Sequence, residues 1–541
     1  MFNLNTDCQF EIFKYLHYQD LFNLENAIAG NAANNLLLLQ QIHMWWDKMH
    51  KLNICDDYSV KNLPILLQKT LNLQEINIEY VIDFEKFIKL LIKYNHHHDN
   101  NCLEKITIAF DHLQMWKVTS SSSSKIVFLN KFVNLKHLTF KNVRRFFLLE
   151  NGVSEFIKLH ANQLISLKLL FTKFNFNFTF NTRFFEFKNL KHLRITEVYV
   201  KFGDYNNDDY DEGEKFKNLK TLDICIYNED QLMFIVKYMH NLKNLTLTFI
   251  NTFIVIEKFK KFNFKNFFSS LLDNNNNNIV LENLILHNFQ HFINADLHLF
   301  LLEKKNLNLK YSFTLELESL KKNEFVICNF YNVVELYVKH VESLTVSVEF
   351  FEYIFCFCSI CQKKNEESVE EKKLKQSFSC MFKNIKNLIF FDNYETAHLG
   401  INLRQNCFTK FDDIFFYIFN KYLSKTLIYL DIEKKNYTWD VWQKSIFISN
   451  NKLKYLCIYN ANEYDEENEK LDYVKKIKTI FLNLKKLKYC GFILVEKKKF
   501  KYWFDNYFNS NNYNNYCSSK LKFTCKVMIS NSSRMIKNIY I

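Results

Sequence analysis

Proline is almost absent from this chain: Pro64 is the only one in 541 residues, and only six glycines accompany it. Few tight or left-handed turns can form without glycine, which argues against folds built on Gly-rich phosphate loops. Neither G-x-G-x-x-G nor G-x-x-x-x-G-K-S/T occurs. G-x-S-x-G, H-E-x-x-H and a zinc-deaminase signature are missing too. No nucleophile–base or metal set can be assembled from what remains, so the chain reads as a non-enzyme without a cofactor. No apolar run approaches the roughly 20 residues of a membrane span; the nearest, Ile354 to Cys361, is far too short. The N-terminus lacks a charged n-region and a continuous apolar h-region. The expectation is a soluble protein with no membrane contact, cytoplasmic and with the nucleus as a second compartment.

What is present is apolar bulk. The chain is 48% hydrophobic and 17% aromatic, ample for a large core and too long for a single compact one. Its formal charge of +13 is a mild excess over this length, weaker than a dedicated nucleic-acid binder shows. Nucleic acid is therefore not assigned as a partner, although Lys mixed with Tyr and Phe keeps that reading as a third alternative. Fourteen cysteines are scattered, and some, such as Cys225 and Cys457, sit in apolar strand-like runs. Free thiols in a reducing compartment explain this better than a disulfide framework. Cys356, Cys358, Cys361 and Cys380 come nearest to zinc-ligand spacing. The first three are embedded in Phe, Tyr and Ile, and paired C-x-x-C units are lacking, so no metal site is assigned. His96–His98, with no acidic partner, is read as inert.

From about residue 70 a repeat emerges. The unit is L-x-x-L-x-L with swaps among apolar residues, beginning at Leu73, Leu103, Leu135, Leu164, Leu190, Leu219 and Leu242. It continues at Leu281, Val333, Ile385, Leu427, Leu453 and Leu484. The first seven starts lie 23 to 32 residues apart. Asn-Leu-Lys recurs at the strand entry, at Asn134, Asn189, Asn218, Asn241 and Asn483. The last two apolar positions alternate with polar ones, as in a strand with one buried face. A single unit cannot bury that face alone, so units must stack. Between the strands, segments such as Asp83–Leu91 have helical periodicity. The low-complexity stretches His96–His98, Ser120–Ser124, Asp204–Glu214, Asn274–Asn278, Gln362–Gln376 and Asn506–Ser519 read as loops, and Leu521–Met528 as a final strand. The segments 290–330 and 345–385 are irregular. Over residues 70–490 the chain resembles the leucine-rich repeat family.

The N-terminus has its own pattern. Thr6 and Gln9 have capping-box spacing. Phe10, Phe13 and Leu16 recur on one side of a short helix, with Ile12 beside them. Asp20 suits the cap of a second helix carrying Leu21 and Leu24. Asn34–Leu52 reads as a third, buried helix with Trp45 and Trp46. The order Leu4, Asp7, Ile12, Phe13, Tyr15, Leu16, Asp20, Leu21, Leu24 resembles the F-box, the module by which substrate receptors dock on the adaptor of a cullin-RING ubiquitin ligase. Asn5 stands where the family commonly has Pro, and Ala27–Gly30 replaces its Val-Cys/Ser stretch.

The resemblances imply an α/β fold, with a horseshoe-shaped leucine-rich repeat solenoid behind a small all-helical F-box-like module. The expected divisions are 1–52 for the module, 53–500 for the solenoid and 501–541 for a C-terminal cap. The adaptor would be bound through Leu4, Phe10, Ile12, Phe13, Leu16, Leu21 and Leu24. A protein substrate, acidic or phosphorylated, would lie on the concave face at His137, Lys141, Lys168, His192 and Arg194. Thr139 and Thr196 share that face, followed by Asp223, Thr246, His287, Asp431 and Glu433, so it would run from basic to acidic. The implied function is substrate recognition for an SCF-type ligase, the chemistry belonging to partner subunits. The alternative is an interaction scaffold with no ligase, whose N-terminal helices only cap the array.

Overall fold

A computed structural model of the chain describes residues 8, 13, 18–29, 32–54, 62–81, 84–95, 102–110, 132–143, 153–171, 179–202, 214–250, 253–272, 281–304, 306–315, 338–347, 382–391, 423, 426–433, 452–460, 489–495, 524–530 and 534–540. The capping box, the Cys356/Cys358/Cys361/Cys380 set, His96–His98 and nearly all of the low-complexity stretches lie outside them. The architecture is mixed α/β on a large parallel sheet. The chain divides into two units, Met1–Asn244 with Asn274–Ile279, and Leu245–Asp273 with Val280–Ile541.

The first unit opens with two helices, α1 (Tyr18–Ala29) and α2 (Ala32–Asp47). Leu21, Glu25 and Ile28 form the buried stripe of α1, at helical spacing. Asp20 falls inside the first turn rather than at the cap; there its carboxylate suits the positive end of the helix dipole. The helix expected to run to Leu52 stops at Asp47. Lys51–Ile54 is instead the first strand, β1. Next come α3 (Leu63–Lys69), β2 (Glu75–Val81), α4 (Phe84–Asn95), β3 (Lys105–Phe110) and β4 (His137–Val143). They are followed by α5 (Val153–His160), β5 (Ser166–Phe171), β6 (Thr179–Asn181), β7 (His192–Lys201), β8 (Thr221–Ile226) and α6 (Glu229–Tyr238). Strands β1, β2, β3, β4, β5, β7 and β8 pair in parallel, each with the next.

The register aligns the repeat positions. Leu52, Ile76, Ile106, Leu138, Leu167, Leu193 and Leu222 form one buried row. Phenylalanines fill the space between this sheet face and the helices. Phe140 stacks on Phe110 at 5.9 Å and meets Phe84 of α4 edge-on at 5.7 Å, and Phe84 meets Phe156 of α5 at 5.6 Å.

The recurrent asparagine has a structural job. The Asn189 Nδ2 donates to the Asn162 carbonyl at 2.8 Å, Asn218 Nδ2 to Lys188 at 3.3 Å, and Asn241 Nδ2 to Lys217. Asn72 does the same to Asp47 at 2.9 Å. Each amide reaches back one repeat and satisfies a turn carbonyl that glycine-poor loops leave open. Asn218→Ala is expected to cost about 0.5–1 kcal/mol in urea unfolding, the net worth of one exposed-side hydrogen bond.

The second unit holds β9 (Asn244–Phe249, its first residue excepted), α7 (Phe253–Phe259), α8 (Phe264–Leu272), β10 (Asn283–His287), α9 (Ala295–Glu303), β11 (Asn308–Leu315) and β12 (Val341–Ser347). Then follow β13 (Asn387–Phe391), β14 (Tyr429–Glu433), β15 (Tyr455–Asn460), β16 (Tyr489–Val495), β17 (Thr524–Ser530) and β18 (Arg534–Tyr540). Strands β10 to β17 pair in parallel in chain order, and β18 closes antiparallel on β17. Phe249 is the centre of this core, within 6 Å of Phe259, Phe264, Phe289 and Phe292.

Two repeat assignments are corrected here. The unit expected at Val333–Val338 is displaced: Val338 opens a 3-10 turn, and the strand carries Val341, Leu344 and Val346, all buried. The same pattern recurs eight residues on, beyond an apolar stretch that mimics it. The unit expected at Leu484–Tyr489 is also shifted. Tyr489 aligns with Tyr455, while Cys490 and Phe492 take the positions of Leu456 and Ile458. A cysteine in the central slot hid the true register.

Candidate binding face

The strand face opposite the phenylalanines carries polar side chains in two rows. In the first unit one row reads Lys51, Glu75, Lys105, His137, Ser166, His192 and Thr221. The other reads Asn53, Asn77, Thr107, Thr139, Lys168, Arg194 and Asp223. Period-2 alternation puts both rows on one side because their neighbours Leu138, Leu167 and Leu193 are buried on the other.

The rows begin and end in ion pairs. Glu75 binds both Lys51 and Lys105 at 2.9 Å. Burial raises the Glu75 carboxyl, but hydrogen bonds from Lys105, Lys51 and Asn77 outweigh it and hold it at about 2. Asn77 also donates to Asn53 at 2.8 Å. At the other end Arg194 Nε lies 2.8 Å from Asp223. Burial nonetheless raises the Asp223 carboxyl, with Arg194 only partly offsetting it. One guanidinium does not replace the water this carboxylate has lost.

Between these ends the face is basic. His137, Lys141, Lys168, His192 and Arg194, the residues expected at a substrate site, all lie here. Lys141 and Lys168 are exposed. His192 Nδ1 is 3.1 Å from Thr221 Oγ1. Both imidazoles are held below their ordinary range, first by burial. For His137, Lys105 adds to this, Glu104 opposes it, and His192 and Lys136 add to it. For His192 the further causes are Lys168, Lys191 and Lys220. The expected basic-to-acidic run is not what the first unit shows, since carboxylates flank the basic stretch on both sides. Glu75 occupies the same repeat slot as His137 and His192, and only strand pairing brings two lysines to it. Asp431 and Glu433 have side chains outside the described residues. Thr246 and His287 belong to the second unit.

Beside this face, β7 bulges at Glu197, which has φ 60. Its N–H donates to Cys225 Sγ at 3.1 Å. Cys225 is free and buried, and burial with the nearby Glu197 pushes its thiol up to about 12. It is a structural thiol with no thiolate character at neutral pH.

In the N-terminal helices, Leu4, Phe10, Ile12 and Leu16 lie outside the described residues. Phe13 and Leu21 are fully buried, and Leu24 is half-buried. Phe13 meets Trp45 edge-on at 6.3 Å, and Phe22 stacks on Trp46 at 5.6 Å. Glu25 is buried and accepts from Lys69 of α3 at 2.5 Å and lies 3.2 Å from His43 of α2. This ion pair fixes the helical pair to the first repeat. The third helix of the sequence reading is not wholly buried: Leu36, Leu37 and Met44 of α2 are 56%, 68% and 44% exposed. Leu37 and Met44, seven residues apart, share a face. Among the described residues no helix is long and apolar enough to cross a membrane, and no group of three metal-ligating side chains occurs. Comparison with protein-family models finds none that matches this chain, and comparison with curated proteins likewise finds no match.

Proposed function

We propose that this protein is a substrate-recognition subunit of an SCF-type cullin-RING ubiquitin ligase, without catalytic chemistry of its own. The N-terminal helices act as an F-box that docks on the adaptor. The leucine-rich repeat solenoid behind them holds a protein substrate on its open, polar strand face. The observation that carries this reading is α2. It buries Leu38, Ile42 and Trp46 against its own chain and leaves Leu36, Leu37 and Met44 in water. Exposed apolar side chains grouped on one helix mark a protein-docking surface. The Glu25–Lys69 tie then couples whatever binds there to the repeat array.

The test is co-purification. Full-length protein is expected to retain the ligase adaptor, and the double variant Leu37→Asp/Met44→Asp is expected to lose it with an unchanged melting temperature. Failure of the native protein to retain adaptor, or equal retention by the variant, overturns the reading. One observation favours the scaffold alternative: Phe13, Leu21 and Ile28 are buried like the residues of a cap. Deleting residues 1–30 would strip those contacts under either reading, so the surface variant is the discriminating one.

A further inference from the structure

The basic stretch of the first unit has a centre. His137 on β4 and His192 on β7 are in register with Ser166 on the strand between them. Two strand spacings separate the imidazole-bearing positions by roughly 10 Å, with the small Ser166, itself buried, on the strand between them. In the adjacent row, roughly 7 Å along the strands, Lys168 sits on that same middle strand, flanked by Thr139 and Arg194. Arg194 is engaged by Asp223, and Lys105 by Glu75. Lys168 has no ion partner among the described residues.

We infer that His137, His192 and Lys168 form a site for one anionic group, phosphoryl or carboxylate, carried on an extended protein segment. This deepens the receptor reading by naming what the open face takes; it needs that face to bind a peptide, but not the adaptor to be bound. Three nitrogen donors carried on three adjacent strands of one face suit an anion with several acceptor oxygens. The flanking carboxylates select the kind of chain. Glu75 lies two strands before His137, and Asp223 one strand beyond Arg194. A polynucleotide, charged at every residue, would meet both. A segment with one anion and cations towards its ends meets each with the opposite sign.

The site takes up protons when it fills. In the empty state burial first, then Lys105, His192 and Lys136 around His137 and Lys168, Lys191 and Lys220 around His192, hold the two imidazoles below their ordinary range, and only Glu104 works against them. An anion seated between them stabilises the charged form of each, so the bound pKa exceeds the free one. Binding is therefore tight below the bound pKa and weakens as pH rises through it. Affinity falls by as much as about tenfold per pH unit for each proton taken up.

Titration calorimetry on the full chain tests this, with synthetic peptides carrying lysines towards both ends and a central phosphoserine, glutamate or serine. A single-stranded oligonucleotide serves as the fourth probe. The phosphoserine or glutamate peptide is expected to bind at least about tenfold more tightly than the serine peptide at pH 6.5. That advantage should shrink on the order of tenfold by pH 8. Measuring at and above pH 6.5 keeps the phosphate's own second ionisation, near 6, largely complete. In His137→Gln/His192→Gln the pH slope should flatten, and Lys168→Met should abolish the preference for the anion. Which anionic peptide binds more tightly tells phosphoryl from carboxylate. Equal binding of the serine peptide, tighter binding of the oligonucleotide, or an unchanged slope in the double variant overturns the proposal. These outcomes are independent of adaptor retention, so each reading fails separately.

Discussion

Phe140→Ala is expected to destabilise the protein by roughly 3–5 kcal/mol, the range for removing a large side chain from a core that cannot collapse. Phe140 is fully buried in β4. Its ring is stacked on Phe110 and capped edge-on by Phe84, which in turn touches Phe156. Three repeats share that cluster, so the cavity cannot close without pulling strands out of register. The effect should be read as a lower urea midpoint. The adjacent Lys141→Ala, on the exposed face, should move it by less than about 0.5 kcal/mol. A Phe140→Ala cost below 1 kcal/mol would mean that the sheet and helices are not packed as described.

Acid is expected to weaken the fold well before any carboxylate cluster titrates. His160, the last residue of α5, is fully buried against Phe156 and Phe132, with ring centroids 4.7 and 5.9 Å away. Burial lowers its imidazole to about 4. His291 in the second unit is likewise lowered to about 4. An unfolded histidine takes its proton near 6.5. Between those values the unfolded chain holds more protons than the native one, so stability falls as pH drops from about 6.5 to 4. It then levels off. The loss amounts to at most about 3 kcal/mol for His160. Glu75, held at about 2, acts lower down: its contribution is intact above pH 4.5 and is lost as pH falls towards 2. Urea midpoints at pH 7 and pH 5 for native protein and His160→Phe should show a smaller difference in the variant. Equal differences would put His160 in contact with water.

The arrangement of strands was largely readable from the chain because its code is local. An apolar residue at every second position buries one face wherever the strand lies, and thirteen such hexapeptides at intervals of 23 to 52 residues make chance unattractive. Two strands are hidden from this pattern. β1 carries Met49-x-x-Leu52-x-Ile54 but follows so closely on an apolar helix that its first residues merge with it. β11 aligns Leu309 and Tyr311 with Leu284 and Leu286, yet Asn306 fills its first slot. Parallel pairing, with its neighbours already in place, sets such strands regardless of one poor residue.

The candidate site divides along the same line. That Lys168, Arg194 and the two histidines face away from the core follows from alternation alone, so the sequence by itself determined which side chains the open face displays. Which of them meet was decided only by the tertiary structure. Glu75 touches lysines from two other strands, and His137 and His192 flank one serine though they are far apart in the chain. Likewise α2 reads as apolar on more than one side, and only packing decides that Leu38, Ile42 and Trp46 turn inward while Leu36, Leu37 and Met44 do not. Periodicity is a property of one element; charge pairing, proton affinity and exposure depend on what the register and the neighbouring elements bring within a few ångströms.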